Sequence, residues 1–131
     1  MIEKNDIWDE IEQTWGFVPD WFKGLPQESM AAEWKLLKNR EIDESPVPNK
    51  YRQLIGLAVA AQMQCAYSVA YHTEVARLCG ATDEEIEDAA SMAKHAAGWG
   101  TYLQGVQTDL GRFRREVREV CDAVVAKSKA A

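Results

Sequence analysis

Apolar residues recur with helical spacing along most of this chain, and no stretch alternates regularly between polar and apolar positions. The clearest stripe lies near the C-terminus and consists of Phe113, Val117, Val120, Cys121 and Val124. A repeat of about 3.6 residues is typical of an amphipathic helix, whereas a half-buried strand alternates every second residue. The pattern therefore predicts an all-α fold of several helices without a sheet.

Breakers and caps divide the predicted helices. In the N-terminal part we expect helices at about 6–14, 20–23 and 27–41. A proline-containing loop is expected to follow them at about 41–48. From Asn49 the helical pattern continues for about thirty residues to Gly80, a favourable residue after a helix end. This stretch is either one helix or two helices joined near Met63 and Gln64.

Further helices follow in the C-terminal part. Thr82 and Glu85 form a capping-box pattern, which predicts a helix start. Gly98 and Gly100 are expected to end this helix, and a shorter helix near 101–108 is expected to follow. The last helix is predicted to begin at about Leu110.

A length of 131 residues fits a single domain spanning residues 1–131. Its expected parts are an N-terminal helical segment (1–45), a central core that carries the motif (48–109) and a C-terminal helix (110–128). The first segment holds four of the five tryptophans. We also expect a closed homo-oligomer, because Ala-rich helix faces and this many tryptophans exceed what one small core can bury.

Charge and hydropathy narrow the class of protein. A net charge of −6 argues against binding to nucleic acid, which requires a concentrated basic surface. The longest apolar run, Leu54 to Ala61, is far shorter than the ~20 residues that span a membrane. The first residues lack the apolar core of a signal peptide, so a cytoplasmic location is expected.

The candidate chemistry is centred on one helix face. Cys65, Ser68 and His72 are spaced i, i+3 and i+7, which places a thiol, a hydroxyl and an imidazole on the same side of a helix. A cysteine reacts as its thiolate, which a nearby imidazole or a helix N-terminus favours. The same spacing also fits a cysteine and a histidine with purely structural roles. Because the chain has three cysteines, an odd number, a disulfide framework is not expected.

Two other kinds of site are less well supported. A zinc site needs three or four ligands, and Cys65 and His72 would require a third, such as His95, from another helix. A serine hydrolase would need a Gly-x-Ser-x-Gly elbow and an acid partner, and neither is evident. We therefore predict neither a metal nor a cofactor.

The order of motifs resembles a known family. The segment Pro48–Ala61, then Cys65-x-x-Ser68-x-x-x-His72, then the segment Gly80–Ile86 are similar to the core of the carboxymuconolactone decarboxylase and alkylhydroperoxidase D-like proteins. The flanks, Gly16–Pro19 and Gln104–Asp109, resemble those of the same family. The likeness spans about residues 16–120.

The resemblance implies an all-α fold whose motif helix lies beside a small pocket, in a homotrimer or homohexamer. In the peroxidase branch it implies two cysteines that cycle between dithiol and disulfide, with a glutamate and a histidine that relay protons. A lipoyl group or another external thiol then supplies electrons. It also implies that Cys65 lies near the start of a helix, where a thiolate is favoured.

Two positions depart from the family pattern, which is Glu, eleven residues, then Cys-x-x-Cys-x-x-x-His. Cys65 and His72 match the first cysteine and the histidine. Ser68 replaces the second cysteine, and Gln53 replaces the glutamate. Serine cannot form a disulfide, and glutamine cannot act as a base, so half of the implied machinery is absent.

Three functions remain open. The first is a thiol peroxidase or oxidoreductase of one-cysteine type, with an antioxidant role, in which an external thiol restores Cys65. The second is a decarboxylase or isomerase acting on a small lactone or ring acid, with His72 handling protons while Ser68, Tyr67 and Gln53 orient the substrate. The third is a non-catalytic oligomer that binds small molecules or serves as a scaffold.

The three thiols are expected to differ in reactivity. Cys65 shares its helix face with His72 and is expected to react fastest. Cys79 is expected at a helix C-terminus, where the dipole disfavours an anion. Cys121 is expected to be buried on the apolar stripe of the last helix. Cys65 and Cys79 are about 21 Å apart if one helix joins them, so they cannot pair.

Overall fold

The computed structural model describes residues 4–131, and the side chains from Asp6 onward. Its helices are α1 Lys4–Trp15, α2 Asp20–Lys23, α3 Gln27–Leu37, α4 Asn49–Gln62, α5 Ala66–Leu78, α6 Asp83–Gly105 and α7 Leu110–Ala130. A π-helical segment, Lys38–Ile42, continues α3. No strand occurs among residues 4–131, which confirms the all-α prediction. None of the described helices is long and apolar enough to cross a membrane.

The N-terminal helices enclose a compact aromatic core, which we call the N-terminal core. It consists of Ile7, Ile11, Val18, Phe22, Met30 and Trp34. The rings of Trp15 and Phe22 pack edge-on against Trp34, with centroids 5.0 and 5.9 Å away. Gly16, at a φ of 87°, turns the chain from α1 toward α2.

Arg52 of α4 joins this N-terminal unit to the rest of the molecule. Its guanidinium donates hydrogen bonds to the carbonyl oxygens of Asn39, Arg40 and Asp43, at the end of the π-helical segment. Carbonyls at a helix end have no partner within the helix, so a side-chain donor satisfies them. Arg52 therefore fixes the start of α4 against the end of the preceding helix.

The helix α4 is central, because it packs against both α5 and α6. The long helical stretch after Asn49 is divided in two at Met63–Cys65. Gln64 takes a φ of 55°, and its N–H and that of Cys65 donate to the carbonyls of Ala61 and Ala60, at 3.0 and 3.1 Å. These two bonds form a Schellman motif, a common way for a helix to end.

The predicted capping box is confirmed at the start of α6, but the predicted end of that helix was wrong. The Thr82 hydroxyl accepts from the Glu85 N–H, and the Glu85 carboxylate accepts from the Thr82 N–H. The helix then continues through Gly98 and Gly100 to Gly105, and the separate helix at 101–108 does not exist. A glycine inside a helix costs roughly 1 kcal/mol but does not by itself break it.

Candidate functional site

Cys65 is placed by the ends of two helices. Its N–H completes the Schellman motif of α4, and the residue itself occupies the N-cap position of α5. The first amides of a helix have no carbonyl partner within it and carry partial positive charge. The half-buried thiol therefore lies where the backbone favours an anion, as the resemblance implied.

Ser68 is the side-chain partner of Cys65. The Sγ of Cys65 lies 3.4 Å from the Oγ of Ser68, one turn along α5. The pKa of the Cys65 thiol is lowered, first by this hydroxyl and then by the backbone amides of Ser68 and Tyr67, while burial opposes the shift. When the thiol ionises, the hydroxyl can turn to donate to the sulfur. Tyr67 itself is 90% exposed, so its ring does not line the site.

His72 pairs across the helix interface with Gln53 of α4. The Nδ1 of the imidazole lies 2.8 Å from the Oε1 of Gln53. Gln53 is 1% exposed and is the only polar residue among the buried side chains of the described chain. Because an amide oxygen only accepts, Nδ1 of His72 carries a proton and Nε2 remains available on the other side of the ring.

Gly56 makes room for the imidazole. A Cβ at this position of α4 would lie 2.6 Å from the Cε1 and Nδ1 atoms of His72. Real side chains do not approach so closely, so the ring can lie against α4 only because the residue is glycine. Gly56 was not singled out from the sequence, because a glycine in an Ala-rich helix gives no sign of what faces it.

A second feature that the sequence did not indicate lies behind His72. The Tyr71 hydroxyl donates to the carboxylate of Glu41, in the π-helical segment. Burial, and then this acceptor, raise the pKa of Tyr71. The Tyr71 ring packs edge-on against His72, with centroids 5.2 Å apart. It also borders a cleft of about 550 Å³ that includes Trp21 and Cys79.

The predicted site residues therefore form two pairs. Cys65 and Ser68 make one, and Gln53 and His72 make the other; no hydrogen bond joins the pairs among the described side chains. Cys65 and His72 are seven residues apart, about 10 Å along the helix axis. Proton transfer between them would require a water molecule or a substrate.

The other candidate residues lie elsewhere. Cys79 follows the last residue of α5, as expected, whereas Cys121 is exposed on α7, so the expectation of its burial was wrong. The reason is that α7 packs against none of the other helices in residues 4–131. His95 is exposed on α6, and no group of three or more potential metal ligands occurs within the described part.

These features define a class of protein: an all-α domain with a thiol at a helix start and a buried amide–imidazole pair between neighbouring helices. The carboxymuconolactone decarboxylase family model matches residues 28–107. The chain therefore belongs to the carboxymuconolactone decarboxylase family.

Comparison with solved structures supports the fold. The chain resembles the crystal structure of the alkylhydroperoxidase AhpD core from Rhodospirillum rubrum, with a TM-score of 0.73 and 24% sequence identity. The match covers 81% of each chain. No significant match was found among curated proteins.

Proposed function

We propose that this protein is a one-cysteine thiol peroxidase in which Cys65 is the residue oxidised. The observation that carries the proposal is the contact between Cys65 and Ser68 at the start of α5, with the lowered pKa of the thiol. The resemblance in fold to a protein named alkylhydroperoxidase is in keeping with this chemistry. Ser68 provides a hydrogen-bond donor in the position where the family pattern has a second cysteine.

The reaction balances with an external thiol as the reductant. The Cys65 thiolate attacks one peroxide oxygen, the O–O bond breaks, and the other oxygen leaves and takes up a proton from solvent, which forms an alcohol or water. The sulfur is oxidised to a sulfenic acid. One external thiol then condenses with the sulfenic acid and releases water, and a second thiol displaces Cys65 as a free thiol while forming the external disulfide.

The direct test is to trap the sulfenic acid. The protein is treated briefly with dilute hydrogen peroxide or tert-butyl hydroperoxide in the presence of dimedone, and the adduct is mapped by peptide mass spectrometry. The expected result is an adduct on Cys65 that forms faster than any on Cys79 or Cys121. Cys121 is the stricter internal control, because it is exposed and the reagents reach it without hindrance. Equal labelling of Cys65 and Cys121 would contradict the proposal.

Steady-state turnover then identifies the class of reductant. Peroxide consumption is followed with dihydrolipoamide, glutathione or dithiothreitol, with Cys65→Ser as the inactive control. Turnover by one of these thiols, lost in Cys65→Ser, is the expected outcome. Trapping of the sulfenic acid without turnover by any of them would restrict Cys65 to a sensor role.

The Ser68→Cys variant tests whether serine is what prevents disulfide cycling. The Sγ of Cys65 and the Oγ of Ser68 are 3.4 Å apart, and a modest rotation would bring two sulfur atoms to bonding distance. Mild oxidation of Ser68→Cys should remove two free thiols, and dithiothreitol should restore them. The control is Ser91→Cys, on α6, which should leave the new thiol free. Two free thiols at 65 and 68 after oxidation would show that this geometry cannot cycle.

The Gln53–His72 pair supports a second candidate, proton transfer on a small lactone or ring acid. The available Nε2 of His72 can act as a base, and the 2.8 Å contact with Gln53 fixes the ring. The variant Cys65→Ser distinguishes the two candidate functions, since it abolishes peroxide reduction but leaves a histidine-dependent lyase active. A protein inactive in both assays would be a non-catalytic binding or scaffold protein.

A further inference from the structure

The cleft beside Tyr71 lies at the far end of α5 from Cys65. Its walls come from the N-terminal helices, the end of the π-helical segment and the C-terminal half of α5. Cys79, which lines the cleft, follows Cys65 by fourteen residues, about 21 Å along a helix. Its volume of about 550 Å³ lies within the range of small-molecule sites, roughly 300–1,000 Å³. The cleft is therefore a candidate binding site separate from the thiol.

One wall of the cleft is aromatic. The ring centroids of Trp15 and Trp21 are 5.8 Å apart, and those of Trp21 and Tyr71 are 6.4 Å apart. The rings meet at angles of 49 and 83°, so they form a concave wall and not a flat stack. Phe17 borders the same cleft, and Phe17 and Trp21 are 62 and 59% exposed. Large apolar side chains exposed around a concavity are typical of a surface that binds a ligand.

Glu41 is the only charged side chain among the described residues that line the cleft. Its Oε2 accepts a hydrogen bond from the Tyr71 hydroxyl, whereas its Oε1 accepts none from a described residue. None of the ion pairs between described residues includes Glu41, and Lys38, one turn earlier, pairs with Glu10 instead. This half-buried carboxylate thus lies beside aromatic rings without a described cation to balance it.

The π-helical segment places this carboxylate. The N–H of Asp43 donates to the carbonyl of Lys38 at 2.8 Å, a bond across five residues that widens the helix around Glu41. Arg52 of α4 donates to the carbonyl of Asn39 and holds the wide turn in place. Single π-helical turns are rare and occur frequently at functional sites. The turn is therefore a second observation that points to a ligand at Glu41.

The other polar side chains of the cleft favour one class of cation. The Thr14 hydroxyl donates to a backbone carbonyl of α1, and the Asn49 amide donates to a backbone carbonyl and accepts from Arg52. Apart from the weakly bonding Cys79 thiol, the unpaired side-chain acceptor is Oε1 of Glu41. A primary ammonium has three N–H donors to satisfy, whereas a quaternary ammonium has none. Ring faces and a negative charge are the groups that bind quaternary ammonium ligands.

We propose that this cleft binds an organic cation, a quaternary ammonium group that carries an apolar chain. The cationic group lies between the aromatic wall and the Glu41 carboxylate, and the chain lies along the aliphatic side formed by Val75 and Leu78. The net charge of −6 attracts cations to the protein as a whole. This inference goes beyond the proposed peroxidase activity and does not depend on it.

Calorimetric titration with four probes of equal chain length tests the role of charge. The probes are hexyltrimethylammonium, hexylammonium, hexanol and hexanoate. Hexyltrimethylammonium should bind at least about tenfold more tightly than hexanol, and hexanoate should bind most weakly, because only a cation gains from the rings and the carboxylate. Equal affinity for hexyltrimethylammonium and hexanol, tighter binding of hexylammonium, or no binding of any probe at millimolar concentration would overturn the proposal.

A matched pair of variants tests the carboxylate. Glu41→Gln keeps an acceptor for Tyr71 but removes the charge, so it should abolish most of the preference for hexyltrimethylammonium over hexanol. Glu44→Gln removes the same charge from an exposed residue outside the cleft and should keep the preference. An equal preference in the two variants would show that Glu41 does not hold the cation and would also overturn the proposal.

Protection of Cys79 in the wild-type protein locates the bound cation, whether or not the variants fold. Saturating hexyltrimethylammonium should slow labelling of Cys79 by N-ethylmaleimide several-fold and leave the exposed Cys121 unaffected. Trp21→Leu and Trp99→Leu provide a second comparison, since the rings are 59 and 56% exposed but only Trp21 lines this cleft. Only Trp21→Leu should weaken binding. Binding without protection of Cys79, or an equal loss in both variants, would place the cation elsewhere and overturn the proposal.

Discussion

The two ends of this molecule differ in how far their apolar side chains are buried. In the N-terminal core, Ile11, Phe22 and Trp34 are at most 2% exposed. In α6 and α7 no residue is buried, although the two helices together contain 44 residues. The N-terminal end is thus packed within one chain, while the C-terminal end presents its apolar side chains outward.

The difference explains where the candidate site lies. The helices that carry it, α4 and α5, stand between the packed end and the open end. One side of α4 holds Gln53 and Gly56 against His72, and a groove between α4 and α6 on the other side faces outward. The pairing of Gln53 with His72 is therefore complete within one chain, whereas the turn that presents Cys65 lies next to Gln62, which lines the outward-facing groove.

The largest expected effect comes from the packed end. Trp34→Ala should lower the free energy of unfolding by about 3–5 kcal/mol, because it removes a buried ring that packs on Trp15 and Phe22. The matched control at the open end is Trp99→Ala. Trp99 is 56% exposed and packs edge-on against Tyr102, so its loss should cost only about 0.5 kcal/mol. Urea denaturation of both variants measures the two losses of unfolding free energy. Equal losses would contradict the difference in packing between the two ends.

A smaller effect is expected where α4 meets α5. In Gly56→Ala the new methyl group overlaps the His72 ring, so unfolding free energy should fall by about 1–3 kcal/mol and the Gln53–His72 contact should break. Gly98→Ala is the control, since nothing lies within 4 Å of a Cβ there, and it should stabilise α6 by up to about 1 kcal/mol. The two variants should thus change the melting temperature in opposite directions. Stabilisation by both would mean that the imidazole is not held against Gly56.

The smallest effect is expected at the start of α6, where an ion pair between Lys50 and Glu85 ties this helix to α4 at 3.0 Å. Thr82→Ala should lower the free energy of unfolding by about 1 kcal/mol through loss of the cap, whereas Thr82→Ser should keep the cap. Urea denaturation of the two variants measures this difference.

The same cap makes stability depend on pH. The Thr82 backbone, and then Lys50, lower the pKa of Glu85 in the folded chain. The unfolded chain therefore binds the proton more readily, so this contribution is lost in acid as the pH falls through the folded pKa. Denaturation at pH 7 and pH 3 should show less acid destabilisation in Glu85→Gln than in wild type.

Much of the fold was predictable because helix starts have local signals. The capping box at Thr82 and the proline before Asn49 both mark true helix starts. Helix ends were harder, because the residues that terminate α4 and α6, Gln64 and Gln107, lie just beyond the last helical residues and adopt a positive φ although they are not glycines. Gly98 has no such φ, and so the helix passes through it.

The candidate site was predictable only in part, for a similar reason. The contact between Cys65 and Ser68 lies within one turn of one helix, so spacing alone indicated it. The bond between Gln53 and His72 joins two helices, and no spacing along the chain determines how they pack. Spacing also placed Cys121 on an apolar stripe, but no other helix in the described part of the chain packs against that stripe.

The central claim is that Ser68 and the start of α5 make Cys65 the most reactive thiol of this protein. Iodoacetamide labelling across a pH series, read by peptide mass spectrometry, measures the ionisation of each thiol directly. Because the pKa of Cys65 is lowered, Cys65 should label at the lowest pH of the three, and Ser68→Ala should move its midpoint upward. Ser91→Ala, on α6, should leave that midpoint unchanged. Labelling of Cys65 after Cys79 and Cys121, or a midpoint that Ser68→Ala does not move, would contradict the account.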